Sequence, residues 1–372
     1  SRALMMWRQQ TQWLGGMGIV VLAVAILPEL SVGGAQLMEA EAPGPGITKL
    51  TPRIAETARA LWKAYLGITA LEMTLLYGLH LVGLAPQMTL YQSVAHGFTT
   101  MATGGFSPAA RSIEYFSAAV QWLIIPFMVA AGTNFALFWH ALNGEAEVFG
   151  KDTEFRFYAG VLATFSGIVA VLLFTGAGMS ETPTIGPLSG NLEKALRHAT
   201  FQVVSLVTTT GYASMDFNTW GSSAQFVLFV TLFVGGSAGS TGGAIKIVRW
   251  LVILKSLKRE LFTTVHPEAV RPVRLGGRSL DERAVRGIYA FTLLYLVIFF
   301  VAAMLVYFDA ARVGLDLVAL DAMSAVAATL GNVGPGFGIV GPMNNYIPFP
   351  STTKLFMVFL MWIGRLEILP VL

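Results

Sequence analysis

The stretch Thr209-Thr210-Gly211-Tyr212-Ala213-Ser214 sets the interpretation of this chain, because two similar stretches occur elsewhere in it. The others are Ala102-Thr103-Gly104-Gly105-Phe106-Ser107 and Asn332-Val333-Gly334-Pro335-Gly336. In chain order we call them loop 1 (102–107), loop 2 (209–214) and loop 3 (332–336). Each follows a short apolar segment, and a glycine at the third position permits backbone angles that other residues resist. Three such loops in one setting predict a repeated structural unit.

The composition indicates a membrane protein. Hydrophobic residues make up 55% of the chain and charged residues only 12%, whereas soluble domains carry about 25% charged residues. A soluble protein of this composition would expose large apolar patches to water. The chain contains no cysteine, which excludes disulfides, thiolate metal sites and cysteine nucleophiles.

Long and short apolar segments alternate along the chain. A bilayer core of about 30 Å needs about 20 helical residues to cross it. The candidate crossings are 12–30, 60–83, 117–141, 157–178, 222–256, 286–308 and 352–372. The short segments at 88–101, 192–208 and 316–329 each end in a glycine loop. Since they cannot span, we expect re-entrant helices, which are tolerated only inside protein or beside a wet cavity.

This alternation predicts an all-α membrane protein of repeated helix–pore loop–helix modules around a pseudo-fourfold pore. The predicted units are 1–31 (the inner helix of a first module whose remainder is missing), 60–142, 157–256 with a broken inner helix, and 286–372. Between the last two lies a basic loop at 257–285. By the positive-inside rule this loop faces the cytoplasm. Counting crossings puts 142–156 on the same side and opens the glycine loops toward the outside.

The three loops are candidate ion ligands because each can be laid over the Thr-Val-Gly-Tyr-Gly pattern of potassium channels. There, main-chain carbonyl oxygens replace the water around a dehydrated ion. The predicted ligand residues are Ala102, Thr103, Gly104, Thr209, Thr210, Gly211, Asn332, Val333 and Gly334, with K⁺ as the bound ion. The loops contain no charged residue, which argues against a ring of carboxylates. The alternative is that they are ordinary turns between helices.

A glycine-rich stretch interrupts the candidate crossing 222–256. It comprises Gly235, Gly236, Ser237, Ala238, Gly239, Ser240, Thr241, Gly242 and Gly243, and Lys246 follows it. We call residues 235–243 the glycine segment. So many glycines and hydroxyl residues disfavour a straight helix, and irregular backbone at this depth faces water or protein. We interpret the segment as a gate, the alternative being close helix packing through small residues.

Arg365 is a charged residue within the last candidate crossing. Ionisable residues inside a span are costly and usually face the interior of the bundle. If this helix lines the pore, Arg365 would place positive charge near the ion path and limit cation flow. The alternative is an interfacial arginine that pairs with Glu367 or reaches the headgroups.

Together these motifs resemble the Trk/Ktr/HKT superfamily of potassium transporters, most closely its TrkH branch. The resemblance spans nearly the whole chain. Its carriers are the three loops, the glycine segment, Trp7-Arg8, Gln12-Trp13-Leu14-Gly15-Gly16-Met17-Gly18 and Gly364-Arg365-Leu366-Glu367.

The resemblance implies four modules in one subunit and a homodimer in the cytoplasmic (inner) membrane with one pore per subunit. It implies that the glycine segment gates the pore and that Arg365 lies below the filter. It also implies a cytoplasmic, nucleotide-binding regulatory subunit of the TrkA type. We expect no organic cofactor, no nucleic-acid partner and no enzymatic activity.

The chain departs from the family in having three glycine loops where four are expected. We therefore expect truncation at both ends. The missing loop leaves a sodium-permeable relative open, because a serine there in place of glycine favours sodium in the family. A secondary transporter of an organic substrate would require paired discontinuous helices and a charged site. A membrane enzyme would require clustered polar residues at bilayer depth.

Overall fold

The computed structural model describes residues 1–25, 54–179, 187–269 and 271–366. The described part is mostly helical. Its α-helices are α1 (Arg2–Ala25), α2 (Ile54–Leu81), α3 (Leu90–Met101), α4 (Ala118–Ala131), α5 (Phe135–Leu142), α6 (Val148–Lys151), α7 (Thr153–Thr175), α8 (Leu192–Val207), α9 (Ser222–Thr231), α10 (Ile247–Val265), α11 (Glu282–Arg312), α12 (Ala319–Leu330) and α13 (Ser351–Arg365). Three single-turn 3₁₀ helices lie at Ser112–Tyr115, Phe217–Thr219 and Gly338–Val340.

The helices repeat in the expected order of long helix, short helix, glycine loop and second helix. The short helices are α3, α8 and α12, and they follow the long helices α2, α7 and α11. Each short helix packs against the long helix before it. Helix α1 precedes the first complete unit and packs against α2 and α3. Residues 26–31 and 367–372 of the predicted units lie outside the described residues.

Two of the short helices start directly after an N-cap residue. The side chain of that residue accepts a hydrogen bond from an amide of the first turn that would otherwise be unpaired. Thr89 caps α3 by accepting from the Gln92 amide at 3.4 Å. Asn191 caps α8 by accepting from the Lys194 amide at 3.0 Å. Such caps satisfy the free N–H groups of the first turn, so the sequence fixes the start of both helices locally.

Two of the described helices, α7 and α11, are long and apolar enough to cross a membrane unbroken. The predicted crossing 117–141 is not one helix: α4 and α5 form a pair bent by 98° at the break between them. The Asn134 side chain accepts from the Ala136 amide and starts α5 as a separate helix. The expectation of a continuous helix was therefore wrong at residues 132–134.

The predicted interruption of 222–256 is present. Helix α9 ends at Thr231 and α10 begins at Ile247. The interruption is longer than the glycine segment, because residues 232–246 lie outside both helices. Helix α10 also continues into the predicted basic loop 257–285, which contains the antiparallel pair β1 (Arg274–Leu275) and β2 (Arg278–Ser279). This hairpin packs with α10 and α11 through Val248, Leu275 and Ile288.

A continuous apolar core joins the modules. Its large, fully buried side chains include Tyr158 on α7, Phe201 on α8 and Phe299 on α11. A smaller cluster holds α1 against α2 and α5 through Met17, Tyr65 and Phe135. Because the buried side chains come from successive modules, the short helices and their loops are gathered inside the bundle.

Candidate functional site

The three short helices end in the same backbone motif, which positions the loops identically. The residue after each helix cap, Thr103, Thr209 or Asn332, has a positive φ of 49°, 57° or 56°. Its amide donates three residues back, and the next amide donates five residues back. This is the pattern of a Schellman motif. A left-handed threonine or asparagine in place of glycine stores strain of roughly 1–3 kcal/mol.

The side chain of each left-handed residue hydrogen-bonds to main chain outside its own loop, either in the glycine segment or in α13. Thr103 Oγ1 donates to the Thr241 carbonyl at 2.9 Å. Thr209 Oγ1 accepts from the Gly243 amide at 2.7 Å. Asn332 Nδ2 donates to the Met361 carbonyl at 3.2 Å. These contacts explain why side chains are retained at positions where glycine would be less strained.

The shared motif corrects the register expected for loop 1. The next positive-φ glycine in the three loops is Gly105, Gly211 and Gly334. The sequence comparison had instead equated Gly104 with Gly211 and Gly334. Gly104 corresponds to Thr210 and Val333, because each of these amides donates five residues back into its helix. Gly105 was missed because the Gly104-Gly105 doublet permits either alignment; the aromatic residue after Gly105, as after Gly211, was the available signal.

In the same register Ala102 corresponds to Thr208 and Gly331, one position before the predicted ligand residues Thr209 and Asn332. Ala102 is the C-cap of α3, and the matching C-caps are Thr208 on α8 and Gly331 on α12. Neither Thr208 nor Gly331 was among the predicted ligand residues.

The loops lie edge to edge in a regular succession. A Cβ added to Gly105 would overlap the Thr210 carbonyl oxygen, and one added to Gly211 would overlap the Val333 carbonyl oxygen. Loop 1 therefore meets loop 2 through the same two positions by which loop 2 meets loop 3. A Cβ on Gly334 would meet no described atom within 4 Å.

Main-chain oxygens in this arrangement are free to bind a ligand. Thr209 and Thr210 are each 1% exposed and Val333 is 3% exposed. Among the described residues, no hydrogen-bond donor reaches their carbonyl oxygens. Buried carbonyls are nearly always paired, so these oxygens suit a cation or water. Gly334 differs, because its carbonyl accepts from the Tyr346 hydroxyl at 2.7 Å.

Side chains of the short helices hold the chain that leaves each loop. Each module has such a bond: His96 Nε2 with Ser107 Oγ at 2.9 Å, the Ser214 amide to Gln202 Oε1 at 2.8 Å, and the Phe337 amide to Ser324 Oγ at 2.8 Å. The loops are thus fixed on both sides, which preorganises their carbonyl oxygens.

The glycine segment lies against all three loops. The Thr241 carbonyl accepts from Thr103 in loop 1, and the Gly243 amide donates to Thr209 in loop 2. The Ala244 amide donates to the carbonyl of Gly331, directly before loop 3, at 3.0 Å. A Cβ on Gly243 would overlap that Gly331 oxygen. The segment therefore packs where the loops converge.

Backbone hydrogen bonds also fold the glycine segment on itself and fasten it to the α4–α5 break. The Gly235 amide donates to the Ile245 carbonyl at 2.8 Å, and the Ile247 amide donates to the Gly236 carbonyl at 3.1 Å. The Ser237 amide donates to the Gly132 carbonyl at 2.8 Å. Within the segment, Ser240 Oγ donates to the Ser237 carbonyl, and Gly239 has a φ of 72°.

The two basic residues singled out in the sequence, Lys246 and Arg365, both contact the glycine segment. Lys246 Nζ donates to the Gly242 carbonyl at 2.6 Å. Arg365 Nη1 donates to the Thr241 carbonyl at 2.8 Å. Glu367, the alternative partner proposed for Arg365, lies outside the described residues. The structure therefore brings Arg365 together with the glycine segment and loop 1.

Comparison with known proteins adds independent information. The family model of TrkH, described as a cation transport protein, matches residues 1–372. The chain is 41% identical over 372 residues to the Trk system potassium uptake protein TrkH of Halomonas elongata, covering 99% of this chain and 72% of that protein. It is 38% identical over 375 residues to the protein of that name from Escherichia coli (strain K12), covering 100% of this chain and 72% of the relative.

A solved structure agrees with the overall arrangement. The crystal structure of the potassium transporter TrkH from Vibrio parahaemolyticus matches with a TM-score of 0.81 and 33% sequence identity. The match covers 100% of this chain and 71% of that one.

Proposed function

This chain belongs to the TrkH family of cation transport proteins, and we propose that it takes up potassium ions along the axis on which its three glycine loops converge. Its relatives are named potassium uptake proteins. The cargo is the ion itself, so neutral oxygens that replace water are the chemistry required. Binding has to be strong enough for entry and weak enough for release.

One observation carries the proposal: buried main-chain oxygens lie where neighbouring loops meet, and no protein donor among the described residues binds them. The carbonyls of Thr210 and Val333 occupy matching positions and each lies against the glycine of the preceding loop. The proposed ligand residues are the nine predicted from the sequence, with Gly105 added as the counterpart of Gly211 and Gly334. Thr208 and Gly331 join Ala102 as the helix caps that begin each loop.

We propose that the glycine segment is the gate of this path. Its support is the set of hydrogen bonds that join it to loop 1 through Thr103 and to loop 2 through Thr209. Arg365 adds positive charge at the same place and would oppose a cation electrostatically. On this proposal, opening requires these bonds to break together.

Two alternatives make different predictions. A sodium-permeable relative would use the same loops and differ in selectivity alone. A transporter of an organic substrate would need a second discontinuous helix, and the α4–α5 bend provides one. The membership in a cation transport family and the uncharged loops favour an inorganic ion.

We further propose that the protein resides in the cytoplasmic membrane as a homodimer and binds a TrkA-type nucleotide-binding regulatory subunit. The names of the relatives refer to a Trk system, which supports a multicomponent assembly. The basic stretch formed by the end of α10 and the β1–β2 hairpin is the surface we propose for that subunit, since it is predicted to face the cytoplasm.

Growth of a potassium-uptake-deficient cell on low potassium tests the function. Expression of the protein should restore growth, and uptake should be far less sensitive to added sodium than to added rubidium. A Gly211→Ala variant should lose this discrimination, because its Cβ would overlap the Val333 oxygen. Restored growth with equal sodium and potassium uptake would favour the sodium-permeable alternative; no growth would contradict potassium uptake.

A further inference from the structure

The tip of the glycine segment, Ala238 and Gly239, is hydrogen-bonded to both ends of the stretch 135–154. The Phe135 amide, at the start of α5, donates to the Gly239 carbonyl at 3.3 Å. Glu154, in the first turn of α7, accepts from the Ala238 amide through Oε1 at 2.7 Å. Residues 135–154 contain α5, α6 and the start of α7. They therefore bridge the two modules and contact adjacent residues of the proposed gate.

Glu154 is placed for this contact by its neighbours. Asp152 caps α7 by accepting from the Phe155 amide at 2.6 Å, which fixes the direction of the first turn. Glu154 is 3% exposed, so its carboxyl group lies inside the protein. A buried acidic group is costly unless it is hydrogen-bonded. The Ala238 amide supplies such a bond.

We infer that Glu154 is a positioning residue that holds the tip of the glycine segment across the ion path. This inference rests on the proposed function of the segment as a gate. Water does not replace a lost partner inside the protein, so removing the acceptor of a buried amide is costly. Loss of the Glu154 side chain leaves the Ala238 amide without this acceptor. Of the two hydrogen bonds described above for the tip, only that between the Phe135 amide and the Gly239 carbonyl then remains.

The position of Glu154 also gives the gate a connection to the outside of the bundle. The exposed helix α6 directly precedes α7, and this stretch is predicted to face the cytoplasm. A displacement of the start of α7 by a bound regulatory partner would move Glu154 and with it Ala238. Such a movement would release Ala238, while the bonds of Thr241 and Gly243 to loops 1 and 2 would still have to break for the gate to open.

Cysteine labelling tests the inference independently of transport. The chain has no cysteine, and Ser237, next to Ala238, is 1% exposed. A Ser237→Cys variant should react slowly with a small membrane-permeant thiol reagent. Adding Glu154→Ala should accelerate labelling by about tenfold, the range expected when a buried amide loses its acceptor. Adding Glu154→Gln should give an intermediate rate, because its amide oxygen still accepts.

The control is Glu147→Ala, since Glu147 is an exposed acid on the same connecting stretch that pairs with Lys151. It should leave the labelling rate unchanged. Equal labelling with Glu154 and with Glu154→Ala would overturn the inference, as would equal acceleration by Glu154→Gln and Glu154→Ala. Potassium flux into proteoliposomes, measured in parallel, should rise in Glu154→Ala with unchanged potassium-to-sodium selectivity. Faster labelling without any potassium flux would keep Glu154 as the holder of the segment and reject the proposed transport function.

Discussion

Arg365 Nη1 and Thr103 Oγ1 donate to the same oxygen, the carbonyl of Thr241, at 2.8 Å and 2.9 Å. One main-chain oxygen of the glycine segment thus joins the last helix to loop 1. The hydroxyl of Thr241 shares its one proton between the carbonyls of Met101 and Ala131, each at 3.1 Å. The residue is fully buried, so it is the point at which the segment is most firmly tied to the rest of the bundle.

Neutralising Arg365 should increase potassium flux. The substitution Arg365→Gln removes positive charge beside the proposed path and weakens the contact with Thr241. Flux into proteoliposomes should rise several-fold, while potassium-to-sodium selectivity stays the same. Arg312→Gln is the control, because Arg312 is an exposed arginine that pairs with Asp309 elsewhere. Unchanged flux in Arg365→Gln would show that the charge of Arg365 does not limit cation flow.

The register of loop 1 can be tested with two adjacent glycines. Gly105→Ala places a Cβ on the Thr210 oxygen at a φ of 67°, so it should abolish selectivity or folding. Gly104→Ala meets only side-chain atoms, the nearest being Gln12 Oε1 at 2.8 Å, and has no positive φ to oppose it. The ratio of rubidium to sodium uptake should fall much further in the first variant. Equal effects, or a larger effect at Gly104, would restore the register expected from sequence.

Thr209→Val should loosen the gate without changing the loop backbone. Valine has nearly the same shape but removes the acceptor of the Gly243 amide. An unsatisfied buried amide costs roughly 1–3 kcal/mol, so basal flux should rise about tenfold or more. Thr164→Val is a matched control, since Thr164 is exposed on α7 and bonds only its own helix. A fall in flux with lost selectivity would indicate that Thr209 acts in the filter alone.

Glu72 is a buried acid whose removal should stabilise the protein. It lies on α2 with no exposed surface; the Thr100 hydroxyl lies near its carboxyl group, but neither carboxyl oxygen forms a hydrogen bond of acceptable geometry among the residues described. An unpaired buried polar group costs roughly 1–3 kcal/mol, whereas Glu72→Met would fill a similar volume with apolar atoms. The unfolding temperature in detergent should rise, and Glu145→Met on the surface should not change it. A lower unfolding temperature or lost transport would reveal a bonded role for this acid.

Much of the architecture could be predicted because it depends on local signals. The short helices observed at Leu90–Met101, Leu192–Val207 and Ala319–Leu330 lie within two or three residues of the expected segments. Apolar length, glycine placement and the glycine-rich interruption are all readable without tertiary structure. The family membership followed from the same motifs and is confirmed by the match along residues 1–372.

Three features depend on contacts between distant residues and could not be read in this way. The doublet Gly104-Gly105 fits two alignments until hydrogen bonds to α3 choose between them. The break before α5 falls in a stretch apolar enough to pass as one helix. The role of Glu154 emerges only when Ala238, far along the chain, is brought to its carboxylate.

The succession of Gly105 against the Thr210 oxygen and Gly211 against the Val333 oxygen means that the loops cannot be tuned one at a time. Enlarging Gly105 or Gly211 pushes an oxygen of the next loop, and both displacements run in the same direction from loop to loop. Paired substitutions in different loops should therefore be strongly non-additive. Discrimination between cations would then be a property of the contacting loops together. A change of selectivity during evolution would require substitutions in more than one loop.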